Sequence, residues 1–219
     1  TMSDGLLWDE SPPYNDPDNS FATMAKAHNW VQYTLDLPMG NEPGNVFNYN
    51  SGATLILGHI FRLATGTDIE EYAVEHLFTP LGIDDYYWDR TPYGLTDTQE
   101  GLYISARSLA KIAQLFLQKG RWQDEQVIPA TWVEESTAPH CPTGKSDDEA
   151  YGYLWWSQPY TFKGKTVRAH FGKGFGGQRP IFLPDLNMVI VLTGWNILPG
   201  QPFLHAMKAV ERVTAAVIE

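Results

Sequence analysis

Cysteine is nearly absent: Cys141 is the only one in 219 residues, so neither an internal disulfide nor a thiolate metal site can form. The redox compartment is left open. Positive charge is also scarce, with 15 Lys and Arg against 26 Asp and Glu for a formal net charge of −11. A general electrostatic attraction to nucleic acid or to an anionic membrane is thereby excluded. No apolar run approaches the roughly 18–20 residues of a membrane span, and the first residues have neither the basic nor the apolar region of a signal peptide. There is no internal repeat and no low-complexity tract. The six histidines, His28, His59, His76, His140, His170 and His205, stand at no metal-ligand spacing with one another or with carboxylates. No metal and no other cofactor is expected.

What is present is a globular composition, 43% hydrophobic and 13% aromatic, enough to bury a core as one large domain or two small ones. Helical spacing dominates the first part of the chain. Ser20 opens one helix through Met24, Ala27, Trp30, Val31 and Leu35, and residues 53–64 form another that stops at Gly66. Asp68 with Glu71 makes a capping box, Ser105 opens a helix closed at Lys119-Gly120, and a short helix follows Pro129. Residues 84–100 read as an ordered surface loop, and residues 139–149 as a linker or loop without apolar period. Strand composition then takes over in residues 151–158, 166–171, 178–183 and 188–195, and residues 203–218 close the chain as an amphipathic helix. The expected class is α+β: a mainly helical region over 1–145, then antiparallel strands and a terminal helix over 146–219.

The stretch that organises the rest is residues 43–52, Pro-Gly-Asn-Val-Phe-Asn-Tyr-Asn-Ser-Gly, which runs straight into the apolar helix. Pro43 and Gly44 mark a turn, Asn48 and Asn50 suit neither helix nor strand, and Ser51 is a good N-cap. Tyr49 and Ser51 therefore present two hydroxyls at one helix entrance.

This Pro-Gly-x-x-Phe-x-Tyr-x-Ser pattern resembles the second motif of the serine β-lactamase and penicillin-binding-protein superfamily. The resemblance continues in family order through Thr79-Pro-Leu-Gly-Ile83, Gly101-Leu-Tyr-Ile-Ser-Ala-Arg107, Tyr151-Gly-Tyr-Leu-Trp-Trp156 and Gly174-Phe-Gly-Gly-Gln178. It is similar to the branch of class C β-lactamases, esterases and 6-aminohexanoate-dimer hydrolases. The implied fold is β-lactamase/transpeptidase-like, and the implied reaction is amide or ester hydrolysis through an acyl-serine. Tyr49 takes the place of the family's proton-transfer tyrosine. A tyrosine with an ordinary pKa near ~10 serves as a base at neutral pH only beside a cation, which the family supplies from a Ser-x-x-Lys lysine. Ser51 matches the motif's third position.

The family's third motif is carried by residues 168–178, and two readings of it are open. Either Gly172-Lys173-Gly174 is the equivalent of Lys-Thr-Gly, with the backbone N–H of Phe175 as oxyanion donor, or His170-Phe171-Gly172 is a literal His-x-Gly. Four glycines, Gly172, Gly174, Gly176 and Gly177, let a substrate approach the backbone closely, and Gln178 and Trp156 are further candidates for substrate contact. Both motifs have bland alternatives, a packed loop tyrosine and a glycine-rich turn without a ligand.

The family's Ser-x-x-Lys precedes the tyrosine motif, and Thr1-Met-Ser-Asp-Gly-Leu6 is similar to a segment downstream of it. The resemblance therefore implies that the nucleophile and the first sheet strands lie upstream, with that amino-terminal segment or a partner chain covering the sheet. The literal Ser108-Leu-Ala-Lys111 falls after the tyrosine and reads as an ordinary helix. A Thr1 nucleophile with its own amine as base conflicts with the helical first half. The expected partner is a small amide or ester, and a periplasmic or secreted location is compatible with the resemblance. The alternative from another class is a non-catalytic binding protein that keeps the fold.

Overall fold

Asparagine is a weak helix former and a strong helix opener, because its side-chain oxygen accepts a backbone N–H that the first turn leaves unpaired. Three helices in the first hundred residues begin that way. The computed structural model describes residues 1–146, 148–195, 197 and 206–216, and the chain divides into two compact units, Thr1–Ile104 and Ser105–Glu219. In the first unit Asn19 caps α1 (Ser20–Met24), Asn29 caps α2 (Trp30–Leu35) and Asn50 caps α3 (Ser51–Thr65), each accepting a bond from the residue three positions on.

The single helix expected from Ser20 to Leu35 is thus two. After Met24 the chain tightens, with Lys26 N–H on the Thr23 carbonyl and Ala27 N–H on that of Met24, and Asn29 takes extended backbone to restart. The helix α3 ends at Gly66, whose φ of 73° suits glycine. Asp68 then caps α4 (Ile69–Ala73) by accepting the Glu70 N–H, and a π-helical turn follows over Val74–Phe78. Residues 84–100 are not all loop. They hold β1 (Tyr86–Trp88), which pairs antiparallel with β2 (Leu102–Ile104), while the Trp88 indole donates to the Asp97 carbonyl. The unit's core gathers Trp8, Met24, Val31 and Leu55, with Trp30, Tyr33 and Leu95 packed around them.

Asn50 also offers the simplest stability test. Its amide caps α3 and donates to Asp4, so Asn50→Ala removes both bonds at a buried position. The expected cost is about 2 kcal/mol, read as a lower urea midpoint at unchanged slope.

The second unit opens with α5 (Ala106–Leu117), capped by Ser105, and a small ribbon of β3 (Arg121–Trp122) and β4 (Glu125–Gln126). Next come α6 (Ala130–Thr137) and the sheet strands β5 (Cys141–Pro142), β6 (Ala150–Tyr151), β7 (Trp156–Phe162), β8 (Lys165–Phe171), β9 (Arg179–Leu183) and β10 (Met188–Leu192). The last element is α7 (Ala206–Ala215). The remaining ends of the helix expected over 203–218 fall mostly outside the described residues.

The six strands pair antiparallel in the order β10-β9-β8-β7-β6-β5. Strand alternation sorts the side chains onto two faces. Trp156, Phe171, Ile181 and Ile190 lie in register on one face, where Tyr160 also meets Thr214 of α7 through their hydroxyls. On the other face His170 and Phe182 are partners, and Phe116 of α5 packs on Phe182. The helix α5 therefore belongs with the sheet, so the compact units part at 104/105, whereas the expected division at 145/146 separates helices from strands along the chain.

Two sequence expectations are corrected in this unit. The segment read as a linker over 139–149 supplies β5, because Cys141 is buried and pairs with Tyr151. The strand expected over 151–158 is broken by residues 152–155, where Leu154 takes a φ of 64°, so β6 and β7 form a hairpin instead. None of the described helices is long and apolar enough to cross a membrane.

Candidate active site

Tyr49 and Ser51 flank Asn50, which is 0% exposed. The cap that opens α3 is therefore Asn50 and not Ser51, which is the first helical residue. A carboxamide suits this buried position because it both accepts and donates. Its oxygen takes the Ala53 N–H at 3.1 Å and its nitrogen gives to Asp4 Oδ1 at 3.1 Å.

Residues 2–10 hold the same loop from outside. Asn48 N–H donates to the Met2 carbonyl, and its side chain donates to the Trp8 carbonyl at 2.8 Å. Glu10 Oε1 receives the Ser51 N–H at 2.8 Å and the Trp8 indole N–H at 2.6 Å, placing a carboxylate at the positive end of a 15-residue helix. Gly52 lets α3 pass close to α2, since a Cβ there would stand 2.4 Å from Thr34 Oγ1. The half-buried Tyr49 and its neighbour Ser51 thus sit in a loop pinned at both ends.

The other candidates lie in the second unit. Residues 172–178, which carry the third-motif candidates between the strands expected over 166–171 and 178–183, form no strand. The strand β8 stops at Phe171, and Gly176 and Gly177 take φ values of 78° and 109°, incompatible with an extended chain. The segment is a tight loop, closed by the Gly174 N–H on the Gln178 carbonyl and containing a 3-10 turn over Phe175–Gly177. The Gln178 side chain turns inward, giving to the Gly194 carbonyl at 2.5 Å and accepting the Gly194 N–H at 3.2 Å. It ties the loop to the chain just past β10. Phe175 stands at the tip, 63% exposed.

Lys173 reaches away from the tip to Glu149, Nζ to Oε2 at 2.7 Å, and its ammonium lies 3.5 Å from the Trp156 ring centroid. Thr143 donates to the other carboxylate oxygen at 2.9 Å. Burial pushes the Lys173 ammonium below its usual range, with Lys145 and Arg179 acting in the same direction and Glu149 opposing. Trp156, a candidate for substrate contact, is 4% exposed, and its ring lies against this ammonium.

His170 sits elsewhere. Its ring stacks on Phe182 at 4.9 Å, on the face of the sheet that carries α5, while Lys173 lies beside Phe171 and Trp156 of the opposite face. Burial, aided by Arg168 and opposed by Asp185, lowers its pKa to about 4. Acid sensitivity follows. Between the unfolded value of 6.5 and about 4 the unfolded chain holds a proton that the native chain refuses, so stability rises with pH across this window. From pH 7 to 4.5 the loss amounts to about 2–3 kcal/mol. His170→Phe, which keeps the stack, is expected to flatten that part of a urea-midpoint profile.

Ser108 of the literal Ser-x-x-Lys is 3% exposed, beneath the Ser105 cap, whose hydroxyl donates to it at 3.1 Å. Sequence reading missed Asp4, Glu10 and Glu149, because each reaches Asn50, Ser51 or Lys173 across a fold that local spacing does not encode, and it missed Thr143, which donates to Glu149. Only Asn48 and Asn50 left a local trace, as residues foreign to either regular structure.

A family model described as Beta-lactamase matches residues 10–206. No curated protein sequence matches the chain. Among solved structures, a Bacillus anthracis protein assigned as a 6-aminohexanoate-dimer hydrolase is 23% identical with a TM-score of 0.81, the match covering 98% of this chain and 58% of that one. A penicillin-binding protein from Bacillus halodurans is 19% identical with a TM-score of 0.67, covering 97% and 70% of the two chains. A D-stereospecific amidohydrolase from a Streptomyces species is 14% identical with a TM-score of 0.61, covering 87% and 64%. These three likenesses concern the fold, and the chain spans 58% of the length of the Bacillus anthracis protein. With the family model spanning most of its residues, the chain belongs to the Beta-lactamase family, that of the serine β-lactamase and penicillin-binding-protein-like folds.

Proposed function

We propose that this protein is a serine hydrolase that cleaves an amide or ester through an acyl-serine, with the attacking serine and its lysine in sequence preceding these residues. Tyr49 transfers the proton between nucleophile and leaving group, and Ser51 positions it or relays that proton. The glycine loop over 172–178 supplies a backbone donor for the oxyanion, with Gly172-Lys173-Gly174 as the third motif. The observation that carries this reading is the entrance of α3, where buried Asn50 and the bonds from Asp4 and Glu10 hold Tyr49 and Ser51 in one pinned loop. His170, stacked under the α5 face, supports the sheet in this scheme, and Lys173, neutralised by Glu149, favours an ester or uncharged amide over a carboxylate-bearing β-lactam.

The test is intact mass after incubation with a fluorescent penicillin or an activated ester, on this chain and on the protein extended through its natural amino terminus. An adduct on the extended protein alone is expected. An adduct on the 219 residues alone would redirect the assignment to Ser108 or Thr1, and none on either would favour a binding protein that keeps the fold.

A further inference from the structure

We infer that Glu149 is a positioning residue for the glycine loop: by holding the Lys173 ammonium it sets where residues 172–178 stand. The functional part rests on the reading of that loop as the oxyanion side of the site. Four glycines in six residues give this segment wide conformational freedom, so its position depends on what it is tied to. Among the described residues its ties are of three kinds. Bonds to its own ends close it, Gly174 N–H on the Gln178 carbonyl and Gly172 with Pro180 and Arg179; the Gln178 side chain joins it to Gly194; and Lys173 joins it to Glu149.

The third tie reaches the edge of the six-stranded sheet. Glu149 stands just before β6 in a paired hairpin, where Cys141 faces Tyr151 and the Thr143 N–H bonds the Glu149 carbonyl at 3.1 Å. Its side chain is 8% exposed, and both carboxylate oxygens are used, one by Thr143 and one by Lys173. Without that carboxylate, the Lys173 ammonium would lie against the Trp156 and Phe171 rings near Lys145 and Arg179 with no counter-charge. A desolvated, unpaired ammonium does not stay in such a place when solvent is within reach. Lys173 is already 27% exposed, so it would swing out and release the loop. A donor displaced by about 1 Å costs on the order of 100-fold in rate, and an oxyanion donor acts in the transition state more than in the ground state.

The experiment compares wild type, Glu149→Ala and Glu149→Gln in the protein with its natural amino terminus, by hydrogen exchange and by steady-state hydrolysis of an activated ester. In Glu149→Ala the amides of residues 172–178 are expected to exchange about tenfold faster while those of Ile181 and Phe182 in β9 keep their rates. Turnover falls about 10- to 100-fold with KM within about threefold, and Glu149→Gln, which keeps a bond to Lys173, recovers part of it. Thr143→Val, the milder variant should Glu149→Ala not fold, moves both readouts in the same direction by less. Unchanged loop exchange would overturn the inference, as would a uniform rise across β8 and β9 with activity lost in proportion to folded protein. If wild type takes no acyl label, the hydrolase reading falls, and the exchange rates alone decide whether Glu149 holds the loop.

Discussion

Tyr49→Phe, in the protein extended through its natural amino terminus, is expected to lower kcat/KM for an activated ester by about 10²- to 10⁴-fold, the range of a lost general acid–base group if Tyr49 moves the proton as proposed, while KM stays within a few-fold. The phenol oxygen is the only atom removed, and the loop that carries it is held by bonds to Met2, Asp4, Trp8 and Glu10 that do not involve it. A urea midpoint measured on the same variant separates lost chemistry from lost stability. Burst kinetics with the ester separate acylation from deacylation, and acylation should slow. An acylation rate within threefold of wild type would remove Tyr49 from the mechanism, and the proton would have to travel by another group.

Lys173→Met is expected to destabilise the protein by about 3 kcal/mol, the lower end of what breaking a buried ion pair costs, because Lys173 keeps part of its side chain in solvent. The methionine retains contact with the Trp156 ring, so the loss comes from leaving the Glu149 carboxylate buried with the Thr143 hydroxyl as its remaining side-chain donor among the described residues. The paired change Glu149→Leu with Lys173→Met should regain most of the lost stability, since an apolar pair of similar volume carries no desolvation cost. Urea unfolding of the single and double variants measures both numbers and gives the coupling between the residues. A single variant as stable as wild type would mean that the pair is solvated and has no hold on the loop.

The sequence by itself determined most of the longer helices and strands. Asn50 and Gly66 bracket α3, Ser105 opens α5, and the β-branched and aromatic residues of β7 to β10 suit only strands, because caps and side-chain alternation act over a few residues. The family pattern also placed Tyr49, Ser51 and the glycines of residues 172–178 in the chain. It erred where a local signal had competitors. Ser51 is a fair cap, but the buried carboxamide of Asn50 satisfies groups on both sides and takes the position. For His170, in the literal His-x-Gly, strand alternation set the face on which its ring lies, that of α5 and against Phe182.

Tertiary structure alone decided which charges meet. Glu10 binds the amide of Ser51 forty-one positions away, and Glu149 takes the ammonium of Lys173 twenty-four positions on. It also decided that residues 172–178 are a loop tied at Gly194 and Glu149 and not a strand. The physical reason is one of range. Propensity and capping depend on neighbours within a turn, whereas a buried carboxylate needs a counter-charge that only the packed fold can bring to it.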